Sequence, residues 1–287
     1  MKKSLAIVLC ALLLVSLGSS LAFAQEDAPV YVVLGDSIAR GEQGTKDQET
    51  ESYAAIVAKE NGYDLRNHAV NGYNSKQLKS QLKKKKVQDD IRAADIISLS
   101  IGANDFLTNI NIGTIILKAS QGDYSMVDDT IEKLTVNFDS IITKLCELNS
   151  DALILMQTLY NPMYNEQREM FGVAVQKLNA MFTQYLEEHP GAYVLVETGK
   201  ALEGEQAYIH TDGIHPNVAG HAKIAEVILE EIALQTTQPD TAQTTESDTE
   251  TPIPQTGGDS TAVLWAFLAS AALAACSILL KKRKISA

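Results

Sequence analysis

Four short clusters in this 287-residue chain carry the side chains with chemistry to offer: Gly35-Asp36-Ser37-Ile38, Asn67-His68-Ala69-Val70-Asn71-Gly72, Gly102-Ala103-Asn104-Asp105 and Asp212-Gly213-Ile214-His215-Pro216. A serine hydroxyl is a poor nucleophile until an imidazole takes its proton. The imidazole in turn must be held in the right tautomer by a third group about 3 Å away. The i, i+3 spacing of Asp212 and His215 lets the acid reach the ring without a separate strand to deliver it. Pro216 suits the first position of a following helix, which would place His215 at a positive helix end that disfavours imidazolium. Each cluster alone is a weak signal, since Gly-Asp-Ser equally suits a surface turn or a helix cap.

The elements that must position these clusters show in the hydrophobic pattern. Val30 to Leu34, Leu65 to Val70, Ile96 to Ile101, Ala152 to Gln157 and Tyr193 to Val196 read as strands. Ser52 to Glu60, Lys76 to Lys86, Met126 to Leu148, Gln167 to Glu188 and Pro216 to Ile232 have helical periodicity. Apolar strands alternating with helices imply an α/β domain, a parallel sheet of five strands covered on both faces. Ligands are then expected at the strands' C-terminal ends. Three of the clusters stand where strands stop, and the fourth directly precedes the last helix.

Taken together and in this order, the four clusters resemble the SGNH hydrolases, also called the GDSL lipase/esterase family. The resemblance spans most of the predicted domain and implies a three-layer α/β/α, flavodoxin-like sandwich. Residue by residue it makes Ser37 the nucleophile, His215 the general base and Asp212 the group that orients His215. The backbone N–H groups of Ser37 and Gly72 and the side-chain amide of Asn104 become the oxyanion hole. It implies hydrolysis of an ester substrate through an acyl-enzyme, with no cofactor and no metal. Ile38 stands where the family's first motif usually has Leu.

Gly35-x-Ser37-x-Ala39 also comes close to the nucleophile elbow of the α/β-hydrolases, but the serine here follows the first strand and the acid lies too near the histidine. A metalloenzyme is a weaker alternative, because His68, His189, His210 and His221 show no paired ligand spacing; of these only His210 is close enough in sequence to line the site. The segment Phe106 to Leu117 is unusually apolar, suited to an acyl chain or to packing a short helix. Tyr160-Asn161-Pro162-Met163-Tyr164 should flank the same pocket. Lys83 to Lys86 reads as a solvated helix end neutralised by Lys85/Asp89 and Lys86/Asp90 pairs.

Both ends of the chain read as addresses. Lys2 and Lys3, an apolar run from Leu5 to Leu17 and Ala22-Phe23-Ala24 make residues 1–24 a secretory signal peptide. At the other end, Ile253-Pro254-Gln255-Thr256-Gly257 precedes an uncharged span, 261–280, and the basic run Lys281 to Lys284. That arrangement resembles the sortase signal of Gram-positive wall proteins, with Ile253 in place of the usual Leu. It implies attachment to peptidoglycan through Thr256. A plain C-terminal membrane anchor, with the domain outside, is the alternative. Between lie the domain, 28–234, and a Thr-rich stalk, 235–252.

The formal net charge of −12 argues against a nucleic-acid partner. Without Lys2, Lys3 and Lys281 to Lys284 the 24 cations fall to 18; without Asp259 the 36 anions fall to 35, leaving −17 on residues 25–256. Such a surface repels anionic lipid and favours short acyl esters, acetate to butyrate, over a lipase or lysophospholipase substrate. Of three cysteines only Cys146 falls in the domain, so no intramolecular disulfide is possible there; it reads as a buried core thiol. A wall-anchored binding protein that has lost activity is the alternative from a different class, disfavoured by intact Ser37, Asn104, Asp212 and His215.

Overall fold

The computed structural model describes residues 27–237 apart from 43, 110, 165 and 166. The segments read from sequence as a signal peptide, most of a stalk, a sorting motif with Thr256 and an apolar span lie outside these residues. Along the chain run β1 (Val30–Gly35), α1 (Ser37–Arg40), α2 (Gln48–Glu51), α3 (Tyr53–Asn61), β2 (Asp64–Asn67), α4 (Ser75–Gln81), α5 (Lys85–Arg92) and β3 (Ile96–Ser100). Then follow α6 (Ala103–Leu107), α7 (Ile112–Ser120), α8 (Ser125–Leu148), β4 (Leu153–Gln157), α9 (Arg168–Glu188), β5 (Val194–Val196), α10 (Thr198–Leu202), a 3₁₀ turn (Gln206–Tyr208) and α11 (Val218–Thr237).

The five strands form one sheet in the order β2-β1-β3-β4-β5, every neighbouring pair parallel. Alternation along β1 divides the core in two. Val32 and Leu34 pack with Ile97, Leu99 and Met156 beneath α4, α5, α8 and α9. Tyr31 and Val33 face the other way, onto Tyr53 and Val57 of α3 and Ile224, Ala225 and Ile228 of α11. With helices on both faces, the expected three-layer α/β/α sandwich is the structure found. This strand order reverses direction between β1 and β3, and the crevice outside their carboxyl ends is where a doubly wound sheet binds ligands.

Two expected elements differ in extent. β2 stops at Asn67 and is not apolar throughout, because it is an edge strand with both of its terminal residues exposed. The helix expected over Lys76 to Lys86 is two helices, parted at residues 82–84, so the lysine run opens α5 instead of closing a helix. Lysines in a first turn oppose the helix dipole. The pairs Lys85–Asp89, at 2.5 Å, and Lys86–Asp90, at 3.1 Å, offset that. Cys146 is half-buried against the α8 side of the core. α11 continues to Thr237, into the segment read as stalk. Among the described residues no helix is long and apolar enough to cross a membrane.

Candidate active site

β1 delivers Ser37 to the crevice through a tight exit. Gly35 has φ of +140°, and a Cβ there would lie 2.1 Å from the Ser100 carbonyl oxygen of β3, so only glycine fits. The next amide, Asp36 N–H, donates to that same oxygen at 3.2 Å. Asp36 then caps α1, its Oδ1 accepting the Ile38 N–H at 3.0 Å, which leaves Ser37 as the first helical residue. Asp36 is 2% exposed, and burial pushes its carboxyl up to about 7, against the Ile38 and Ala39 N–H groups that favour the charge.

The histidine comes from the opposite end of the domain. His215 Nε2 lies 2.8 Å from Ser37 Oγ, and His215 Nδ1 lies 2.7 Å from Asp212 Oδ2. The other carboxylate oxygen, Asp212 Oδ1, accepts the backbone N–H groups of Ile214 (2.9 Å) and His215 (3.0 Å). Partial burial works against the Asp212 charge, but these donors and the His215 ring outweigh it and hold the carboxyl down at about 2. The loop is fixed by an antiparallel bridge between Ile209 and Pro216 and by Tyr160, whose hydroxyl donates to the Ile214 carbonyl at 2.6 Å.

Pro216 is not the first residue of α11. Asn217 takes the cap, its Oδ1 accepting the Gly220 N–H at 3.0 Å, and Pro216 is held in the bridge with Ile209. His215 therefore lies outside the first turn, where the dipole has fallen away. Its ring is held instead by Asp212 and by the pinned loop.

Gly72 sits on the loop after β2 and Asn104 in the short helix that follows β3. The chain after β2 runs beside the exit of β1, with Val70 N–H donating to the Gly35 carbonyl at 3.0 Å. Gly72 follows at φ +73°, with nothing within 4 Å of where a Cβ would stand, so its conformation and not its space selects glycine. Asn104, in α6 just beyond β3, donates one amide N–H to the Tyr73 carbonyl at 3.1 Å; its other N–H is not needed for that contact. Next to it, burial pushes the Asp105 carboxyl upward, countered by hydrogen bonds from Ser75.

A cavity of about 110 Å³ opens beside these residues. Its lining includes Ile38, Ala103 and Ile214, the chain neighbours of Ser37, Asn104 and His215. Phe106, Leu107, Ile112, Ile115 and Ile116 from the apolar segment line it as well, as do Tyr160, Pro162 and Met163. Leu117 instead faces out, 59% exposed. The segment thus both forms a short helix and walls a pocket. Met170, Phe171 and Ala174 of α9 complete the wall. No sequence signal marks them as site residues, because their apolar spacing is indistinguishable from that of a core-facing helix.

The other histidines are dispersed. His68 pairs with Asp90 at 2.7 Å, His189 packs on the Tyr185 ring, and His221 is buried with Nδ1 accepting the Tyr53 N–H at 3.4 Å. His210 does approach the site, its Nδ1 3.5 Å from Asp212 Oδ2. Among the described residues no group of three or more His, Cys, Asp or Glu is arranged to hold a metal ion.

The chain resembles the uncharacterized protein YpmR of Bacillus subtilis (strain 168), 27% identical over 71% of this chain and 81% of that protein. Among solved structures it superposes on the lipase Lip_vut3 from a goat rumen metagenome with a TM-score of 0.59, at 19% identity over 70% of this chain and 96% of the other. The acetylxylan esterase Axe2 of Geobacillus stearothermophilus superposes with a TM-score of 0.51, at 22% identity over 72% and 94%. At such identities these structures attest the fold. Residues 33–223, which hold all four clusters, match the GDSL-like lipase/acylhydrolase family; with its parallel sheet order and its Ser37–His215–Asp212 hydrogen-bonded chain, the protein belongs to that family and is a carboxylic ester hydrolase.

Proposed function

We propose that this protein is a serine esterase working through an acyl-enzyme. The observation that carries the proposal is the unbroken hydrogen-bonded chain from Ser37 Oγ through His215 to Asp212, opening on the crevice between β1 and β3. His215 Nε2 takes the Ser37 proton as Oγ attacks the ester carbonyl. The carbonyl oxygen, now negative, is held by the Ser37 and Gly72 backbone N–H groups and the spare Asn104 N–H. The tetrahedral intermediate collapses, the C–O bond to the alcohol breaks, and His215 returns the proton to the leaving oxygen. Water then repeats the sequence on the acyl-enzyme and releases the acid. Asp212, held ionised well below neutrality, keeps the proton of neutral His215 on Nδ1 and steadies the imidazolium that forms.

For the acyl group the cavity is the specific guide. Its almost entirely apolar walls beside Ser37 offer far more room than an acetyl group needs, which supports a hydrocarbon acyl chain longer than butyrate. The acidic surface supports the opposite preference, acetate to butyrate on soluble glycan esters. Both kinds of substrate occur in the names of structural neighbours, a lipase and an acetylxylan esterase. Of the two, the cavity bears directly on the acyl subsite, and we take the longer chain. Residues 1–24 and 253–287 further support export and attachment to the wall through Thr256. Hydrolysis of a p-nitrophenyl ester by residues 25–237, lost on Ser37→Ala, tests the enzyme assignment. No turnover of esters from acetate to dodecanoate overturns it in favour of an inactive binding protein.

A further inference from the structure

Asp105 immediately follows Asn104, and nothing in the mechanism above uses it. Its two oxygens take both donors of Ser75, the first residue of α4: Oδ2 accepts the Ser75 backbone N–H at 2.9 Å, and Oδ1 accepts the Ser75 hydroxyl at 2.5 Å. Ser75 is fully buried, and its oxygen also accepts from Asn137 Nδ2 of α8 at 3.0 Å. The Asp105 carboxylate therefore ties the start of α4, three residues beyond Gly72, to the helix that carries Asn104, and α8 braces the joint.

Two further contacts cross the same joint. Asn104 Nδ2 donates to the Tyr73 carbonyl at 3.1 Å, and Asn74 Nδ2 to the Thr108 hydroxyl at 3.4 Å. The Tyr73 contact fixes the rotation of the Asn104 amide, and so the direction in which its spare N–H points. Tyr73 lies between Gly72 and Ser75, so its place depends on where Ser75 is anchored. On the other side the loop is held by the Val70 N–H to Gly35 carbonyl bond at 3.0 Å, the Tyr73 N–H to Val70 carbonyl bond at 3.2 Å and a side-chain hydrogen bond between Asn71 and Glu42, none of which reaches α6.

We propose that Asp105 is the positioning residue of the oxyanion hole: by clamping Ser75 it sets the separation and aim of the Gly72 and Asn104 donors. The inference rests on the roles given to those two residues under the proposed function. Donors are effective only within a few tenths of an ångström of where the oxyanion forms, and a displacement near 1 Å costs on the order of a hundredfold in rate. A carboxylate that merely capped α4 would affect stability alone.

The test compares Asp105→Ala, Asp105→Asn and Ser75→Ala by kcat and KM on a p-nitrophenyl ester, with folded sites counted by thermal unfolding. Affinity for a trifluoromethyl ketone, whose hemiketal oxygen occupies the hole, is measured alongside. Asp105→Ala should lower kcat about 30- to 100-fold at a KM within about twofold, and weaken the ketone by the factor lost in kcat/KM. Asp105→Asn should recover most of the rate, since its amide oxygen can accept the Ser75 N–H and its NH₂ can donate to the Ser75 oxygen. Should Asp105→Ala not fold, Ser75→Ala keeps the question open to measurement, with about a fivefold loss of kcat expected at unchanged KM. Wild-type kcat in folded Asp105→Ala, or a loss confined to thermal stability, overturns the clamp. The outcome is separable from failure of the mechanism itself: an active Ser37→Ala removes the acyl-enzyme, whereas an inert Ser37→Ala beside a fully active Asp105→Ala removes only the clamp.

Discussion

The Asp212 carboxylate divides its two oxygens between the ring and the backbone of the same loop: Oδ2 meets His215 Nδ1 at 2.7 Å, while Oδ1 accepts the Ile214 and His215 N–H groups. One side chain thus sets both the tautomer of the base and the turn that presents it. Asp212→Asn separates the two tasks. Its oxygen can still hold the turn, but its NH₂ donates to Nδ1 and moves the ring proton to Nε2, facing Ser37. We expect kcat to fall by about 10³- to 10⁴-fold while the thermal midpoint changes little. Retention of a tenth or more of wild-type kcat would show that Asp212 does not choose the tautomer.

Asn104→Ala removes the amide assigned above to the oxyanion. It should lower kcat about a hundredfold or more with KM nearly unchanged. A rise in KM with kcat preserved would instead make Asn104 a contact to the ground-state substrate.

Acyl length is decided by a series of p-nitrophenyl esters from acetate to dodecanoate. With the cavity as acyl subsite, kcat/KM should climb beyond butyrate. Ala174→Phe, which fills the cavity from α9, should abolish the climb while leaving acetate within about twofold. A maximum at acetate in the wild type returns the short-acyl preference suggested by the net charge.

Two buried groups should pull stability in opposite directions with pH. Burial, and secondarily the nearby His215, lowers His221 from 6.5 to about 4, so its contribution is present above pH 6.5 and is lost as pH falls towards 4. Asp36, raised from 3.8 to about 7, contributes stability that is full below pH 3.8 and is lost as pH rises to 7. Between pH 4 and 6.5 their slopes, each about 1.4 kcal/mol per pH unit, cancel. Relative to wild type, His221→Gln should lose stability as pH rises through this window and Asp36→Asn should gain it. Urea midpoints at pH 4.5 and 6.5 read the difference directly, and parallel profiles in all three proteins would refute both assignments.

Attachment is tested in the producing cell. Muralytic digestion should release the protein with Thr256 joined to peptidoglycan, and deleting residues 253–257 while keeping the apolar span should move it to the detergent-soluble membrane fraction. Finding the intact protein already in that fraction, with Lys281 to Lys284 attached, would establish the plain membrane anchor.

Much of the architecture was legible because it depends on local pattern. Val32 and Val33 alternate between two cores, and the stripe of Ile224, Ile228 and Ile232 needs only period 3.6 to be seen. Ser37, Asn104 and His215 were legible because each abuts the end of an element. Pro216 misled, since proline in a loop before a helix looks the same whether it opens the helix or, as here, pairs with Ile209 ahead of an Asn217 cap. The break at residues 82–84 was hidden by lysines, which are good helix formers whose repulsion no periodicity records. The Asp105–Ser75 clamp and the α9 wall of the cavity join residues far apart in sequence, and no spacing rule reaches them.

The hydrogen bond between Ser37 and His215 closes a loop of 178 positions, from the exit of the first strand to the turn before the last helix. Closing so long a loop costs chain entropy, which the packing of α11 against the sheet offsets. A chain emerging amino end first can therefore assemble most of its sheet with the serine in place and still have no base beside it. Turnover needs the final turn and helix docked, so activity reports that the domain has been completed.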